Sequence, residues 1–276
     1  MNHLADFHVH PDYSIDATGT IRQYCDRALE IGLKSICFTT HYDANPRRVE
    51  LDGYWRCNGD RVRLSDNLLQ FYLDEIIRAK IFFAKFGLRV YRGLEVDYFP
   101  GVESEIVRLR DKFPLDFVIG SVHCIDDFAI SNKAEALAYF SKKSVEDLEI
   151  DYFKILLMAA SCRGFDSLGH LDYYVRYGRE YYGDDIDNID ANRLEFLWFV
   201  LKANNIGIEI NTSQFKNGAD RFHPTKEIIK MAIQAGVKIS SIGSDSHKPA
   251  KLGLGLNEAY ELLNQLGVRP EFPKAI

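Results

Sequence analysis

Leu4-Ala5-Asp6-Phe7-His8-Val9-His10 alternates like a β-strand and ends in two histidines separated by a single residue. Successive side chains of a strand point to opposite faces, so His8 and His10 share one face while Val9 takes the other. One such His-x-His is a weak signal, and its weight comes from recurrence. Further strand-like runs end in Thr39-Thr40-His41, Gly93-Leu94-Glu95-Val96-Asp97, Gly120-Ser121-Val122-His123, Gly169-His170-Leu171-Asp172 and Gly243-Ser244-Asp245-Ser246-His247. Six of the eight histidines therefore fall at or just past the C-terminal end of a strand, where barrel enzymes assemble their active sites.

The same pattern predicts strands near 4–10, 35–41, 89–98, 116–123, 166–171, 207–213 and 238–245. Amphipathic helical segments follow them, near 20–31, 65–86, 101–112, 144–162, 190–204, 224–235 and 256–266. Gly32, Gly87, Gly164, Gly236 and Gly267 stand where left-handed helix caps are needed. Seven βα units with no Pro/Ser-rich linker predict an α/β fold, a distorted TIM-like (βα) barrel of seven strands in a single domain over 1–276, rather than an open doubly wound sheet. Alternation also predicts small or polar inward neighbours of the strand-end residues, namely Asp6, Thr39, Gly93, Ser121 and Gly243, which suits a polar mouth better than a barrel packed with branched side chains.

Imidazole nitrogens with the carboxylates of Glu95 and Asp245 in register suit zinc, iron or manganese. Thiolate sites are not indicated, because the five cysteines form an odd set without a close Cys-x-x-Cys pair. A hydrophobic content of 46% over 276 residues supplies a sizeable core. The formal net charge of -6 argues against a binder of long nucleic acid but leaves small anions open, since bound metal outweighs the global balance locally. Residues 1–6 lack the charge and apolar pattern of a signal peptide, and no stretch has the length of a membrane span, so a cytoplasmic location without membrane contact is expected. Oligomeric state is left open.

The loop at 42–64, with Arg47, Arg48, Tyr54, Trp55, Arg56 and Arg61, reads either as a substrate-covering lid or as a surface excursion. Arg176 follows the fifth strand on the site's side and either binds phosphate oxygens in a fork or is a surface arginine on a loop. Glu209 and Asn211 share one face of the sixth strand, where they contact substrate, orient a ligand or hydrogen-bond within the core. His223 precedes Pro224 and either protonates a leaving group and recognises substrate or caps the following helix, Arg221 being the weaker candidate. His3 reads as an ordinary N-terminal residue, and the abundant Tyr and Phe as packing.

As an ordered set, Phe7-His8-Val9-His10 with Asp16, Thr39-Thr40-His41, Gly93-Leu94-Glu95, Gly120-Ser121-Val122-His123, Gly169-His170-Leu171-Asp172 and Asp245-Ser246-His247 resembles the polymerase and histidinol phosphatase (PHP) superfamily, in its stand-alone histidinol-phosphate phosphatase branch. The resemblance implies a distorted seven-stranded barrel holding two or three divalent ions. By it, His8, His10, Glu95 and Asp245 hold the first ion, Glu95, His123 and His170 the second, and Asp16, His41 and His247 the third. Asp16 has a competing reading as a turn residue.

Three divalent ions against three carboxylates would leave a formal charge of about +3, a field that fits a phosphomonoester dianion. A water shared between ions then has its pKa lowered and supplies hydroxide for in-line attack on phosphorus. Glu95, Asp245, Arg176 and His223 are the expected catalytic residues, and Arg176, Asn211 and His223 the expected substrate contacts. The expected reaction is hydrolysis of L-histidinol phosphate. Alternatives are a PHP phosphoesterase acting on a nucleotide, an oligonucleotide end or phosphotyrosine, and a non-catalytic metal-binding or regulatory module.

Overall fold

A computed structural model describes residues 4–217 and 221–272. His3 lies outside the described residues. Seven parallel strands form one sheet in chain order: β1 (Ala5–Val9), β2 (Ser35–Tyr42), β3 (Arg89–Asp97), β4 (Phe117–Ser121), β5 (Ser167–Leu168), β6 (Gly207–Asn211) and β7 (Ile239–Gly243). A parallel bridge between Val9 and Ser246, with His10 N donating to Ser246 O at 2.9 Å, brings the last unit back against the first and makes the sheet a nearly closed barrel. All seven expected strands are present.

Their helices begin where the sequence carries cap residues. Thr20 and Ser144 form capping boxes with Gln23 and Asp147 for helices Ile21–Glu30 and Val145–Ser161. Ser65, Asp190 and Thr225 cap Asp66–Ala84, Ala191–Ala203 and Lys226–Gln234. Glu103–Lys112 and Leu256–Gln265 complete the ring. All five predicted cap glycines have positive φ, from 69° at Gly267 to 113° at Gly164. No helix among the described residues is long and apolar enough to cross a membrane.

Between sheet and helices lies the main core, which includes Ile36, Phe38, Val90, Leu94, Val96 and Val118 from the strands' outer faces. The opposite face carries a smaller cluster of Ala5, Phe7, Cys37, Tyr91, Phe117 and Ile119, and Phe272 stacks on Phe7 at 4.7 Å. This cluster fills the barrel below the site. Glu95 lies beyond it on the same face of β3, two and four residues past Gly93 and Tyr91.

Strict alternation fails at one point of β1. The register between β1 and β2 slips between Asp6 and Val9, where three residues of β1 span two of β2, so Phe7 joins the interior cluster and Asp6 does not. Asp6 instead ties β1 to the segment after β7: its carboxylate accepts from Ser244 N at 2.9 Å, Ser244 Oγ at 2.5 Å and Gly253 N at 3.1 Å. The extra residue also lets His8 and His10 both turn toward Glu95.

Every strand but β2 is shorter than expected, β5 most of all. The chain leaves β5 after Leu168 and β7 after Gly243, and His170 and Asp245 have φ of 21° and 50°. Alternation cannot anticipate such a turn, because a residue in the left-handed region has left the pleat. The loop at 42–64 is structured: a short helix, Val49–Asp52, precedes an antiparallel hairpin, Tyr54–Cys57 with Asp60–Arg63. Helices Lys133–Phe140 and Val175–Tyr182 were also not expected.

Candidate metal centre

The site forms where strand ends converge. His8 and His10 come from the end of β1, His41 from β2, Glu95 from β3, His123 from just past β4, His170 from past β5, and Asp245 and His247 from past β7. Asp16 reaches in from the loop after β1. Three groupings bring ligand atoms within 4.8 Å of one another: His10, His41 and His247; His8, His10 and Glu95; and His41, Glu95 and His123.

Glu95, 1% exposed, divides these side chains between its two oxygens. Its Oε2 faces His41 Nδ1 at 2.8 Å, His8 Nε2 at 3.2 Å and His10 Nε2 at 3.5 Å. Its Oε1 faces His170 Nε2 at 3.0 Å and His123 Nε2 at 3.4 Å, and accepts from Ser121 Oγ at 2.6 Å. Asp245 Oδ1 lies 3.4 Å from both His10 Nε2 and His247 Nδ1. Asp16 Oδ2 sits at the exposed rim, 3.3 Å from His247 Nε2. All nine predicted metal residues thus come together.

The residues fit bound cations. His8 Nε2, His10 Nε2 and Glu95 Oε2 are buried and make no hydrogen bond, an expensive state for polar atoms. His8 Nδ1 lies 2.7 Å from Glu209 Oε1, and a carboxylate only accepts, so the Nδ1 proton belongs in that bond. In the neutral ring Nε2 then presents a bare lone pair to Glu95 Oε2, an arrangement that a cation between them satisfies.

Charge balance leads to the same point. Burial alone would push His8 down, but Glu209, Glu95 and Asp245 outweigh it and hold its pKa well above 6.5. His41 is pushed up to about 10, with Glu95 overriding the effect of burial. Burial would raise Glu95, yet His8, His123 and His41 hold it well below the usual carboxylate range. His10 goes the other way, driven well down by burial and by His41 and His247. Such a cluster demands positive charge, which protons supply only in part.

Beside it opens a cavity of 590 Å³. His41, Glu95, His123, Asp245 and His247 line it, together with Tyr173 and Arg176. Arg176 donates to the Tyr173 hydroxyl and stacks its guanidinium on Tyr173 and Tyr177, 5.5 and 5.2 Å from the ring centroids. Asp43 and Asp97 also border the cavity, and Arg48, Leu51, Tyr54, Trp55 and Arg61 form a wall from the 42–64 loop. That wall is tied down: Trp55 Nε1 donates to His41 O, and Arg48 donates to Asp127 O at 2.6 Å and Glu135 Oε2 at 2.7 Å.

Asn211 and His223 are buried and do not border this cavity. Asn211 Nδ2 donates to Glu209 Oε2 at 3.2 Å and lies 3.5 Å from Asp245 Oδ2. His223 is held by Asp172 Oδ1, 2.5 Å from Nδ1, and by Gln214, 2.9 Å from Nε2. Arg221 pairs with Asp172 and Asp187. Sequence reasoning did not single out Asp43, Asp97 or Tyr173 as cavity walls. The signal available for them was position, since each lies within three residues of a predicted ligand.

The fold and site define a class, barrel proteins with a histidine and carboxylate metal centre at the C-terminal ends of their strands. The PHP domain family model matches residues 6–213, and the chain belongs to that family. A histidinol-phosphatase of Lactococcus lactis is 30% identical over 95% of this chain and 91% of its own length. A Deinococcus radiodurans protein named "Probable histidinol-phosphatase" is 29% identical over 98% of this chain and 96% of its own. Among solved structures, histidinol phosphate phosphatase from L. lactis, complexed with zinc, L-histidinol and phosphate, superposes with a TM-score of 0.75 at 24% identity, covering 97% of this chain and 95% of that one.

Proposed function

We propose that this chain is a metal-dependent phosphomonoester hydrolase that converts L-histidinol phosphate to L-histidinol and inorganic phosphate, a reaction of histidine synthesis carried out in the cytoplasm. The observation that carries the reading is the buried Glu95 carboxylate, whose two oxygens serve two separate sets of imidazoles beside an open cavity. Relatives bearing the histidinol-phosphatase name over nearly the whole chain support the substrate.

His8, His10, Glu95 and Asp245 would hold one divalent ion, Glu95, His123 and His170 a second, and Asp16, His41 and His247 a third. Zinc, manganese and iron all suit these donors. When bound, such ions supply Lewis-acid charge for the phosphoryl oxygens and lower the pKa of a coordinated water.

The remaining work falls to the chain's own side chains. Arg176, stacked and hydrogen-bonded through Tyr173, is pre-oriented to bind phosphate oxygens in the cavity that the proposed ligands line. Asp43 and Asp97 line the same cavity, an acidic wall suited to the ammonium and imidazole of an amino alcohol. Asn211 supports Asp245 from beneath. Asp172 keeps the His223 proton on Nδ1 and Gln214 occupies its Nε2, so both ring nitrogens of this buried side chain are engaged away from the cavity.

A panel of phosphomonoesters tests the substrate. Histidinol phosphate is expected to be cleaved with at least about a tenfold advantage in kcat/KM over a mononucleotide and phosphotyrosine, since recognition of the alcohol half is worth at least one good polar contact. Equal rates on all three would favour a general PHP phosphoesterase.

A further inference from the structure

We propose that Glu209 is the positioning residue of the metal centre, a single buried carboxylate that fixes ligands from three strands at once. The inference rests on the proposed ligand set and goes beyond it, because Glu209 is none of the nine. It is fully buried in the middle of β6, a strand that supplies none of the proposed ligands.

Its two oxygens have different tasks. Oε1 accepts the His8 Nδ1 proton at 2.7 Å, which sets the tautomer and turns Nε2 toward Glu95 and Asp245. Oε2 accepts from His170 N at 2.9 Å, at a residue whose φ of 21° takes it off the strand and swings its ring to Glu95. The same oxygen accepts from Asn211 Nδ2, which reaches on to Asp245 Oδ2. One carboxylate thereby orients the ends of β1, β5 and β7.

Close packing leaves it little freedom. A Cβ at Gly243 would come within 2.7 Å of Glu209 Oε1, and one at Gly169 within 3.4 Å of Oε2. Glycine at 243 makes room for the carboxylate beside His8, whereas a Cβ at 169 would meet Ser121 Oγ first, at 2.6 Å. Partners that hold a ligating histidine in its tautomer typically change metal affinity 10–100-fold when removed.

Glu209→Gln separates this role from general packing. A glutamine keeps the shape but offers one acceptor and one donor where two acceptors are needed, so whichever way it turns, either His8 Nδ1–H or His170 N–H meets another donor. Zinc affinity is read by competition with a chromophoric chelator, with circular dichroism of the same samples reporting the fold. The native protein is expected to hold zinc, and folded Glu209→Gln to bind it about 10–100-fold more weakly. Equal affinity in the two folded proteins overturns the role of Glu209 and leaves the ligand set standing, whereas failure of the native protein to bind zinc overturns both. The second measurement needs no variant. Nitrogen-15 NMR of the zinc-loaded native protein should show a proton on His8 Nδ1, and zinc on that nitrogen instead would refute the assignment even if Glu209→Gln did not fold.

Discussion

Glu95→Gln is expected to lower kcat for phosphate release by about 10²–10³-fold or more, the range for removing one preorganised electrostatic group from a reacting centre. It should also reduce the number of metal ions bound per chain. No other predicted ligand shares itself between two sets of imidazoles: Oε2 serves His8, His10 and His41, and Oε1 serves His123 and His170. An amide keeps the volume but presents an NH2 group to one of these sets. That group cannot act as a metal ligand where Oε1 or Oε2 did, and the charge of the cluster becomes more positive by one unit. Colorimetric phosphate release together with metal analysis of the same preparation checks this, and an active variant with native metal content would show that Glu95 does not bridge.

Gly243→Ala is expected to destabilise the protein by about 1–3 kcal/mol, the usual cost of forcing a methyl group into a packed interior, and to impair metal binding as well. The glycine's φ is unremarkable, so the reason is space alone. An alanine Cβ would sit 2.2 Å from His8 Cβ and 2.7 Å from Glu209 Oε1, distances that no side-chain rotation relieves at the first of these atoms. The backbone of β1 would have to move away from β7, against the Asp6 clamp on Ser244 and the His10 to Ser246 hydrogen bond that bring the barrel together. His8 would move with it. Denaturant midpoints of the metal-free proteins give the stability term, and zinc competition gives the effect on the site.

Much of this was legible in the residues. The period-two pattern, the cap residues and the recurrent strand-end histidines located all seven strands and their helices, because these features arise from local sterics and burial. The convergence of His8, His10, His41, Glu95, His123, His170, Asp245 and His247 followed from their position at or just past strand ends, since a barrel's strand ends meet at one mouth. What stayed hidden depends on the third dimension. The slip between Asp6 and Val9 exchanges the expected places of Asp6 and Phe7, and nothing in the segment itself marks it. His170 and Asp245 have positive φ although each lies in what reads as a strand. Glu209 and Asn211 read equally well as core or site residues, and only their contacts to His8, His170 and Asp245 separate the two. Arg48, a loop arginine by sequence, is buried by Glu135 and the Asp127 carbonyl, which lie far along the chain.

Stripping the metal and restoring it shows whether turnover depends on ions held by these side chains. Protein dialysed against a chelator and then freed of it should release no phosphate from histidinol phosphate, and activity should return in proportion to zinc or manganese bound, reaching its full value at two to three ions per chain. Undiminished turnover by protein shown to be metal-free would rule out metal-dependent hydrolysis.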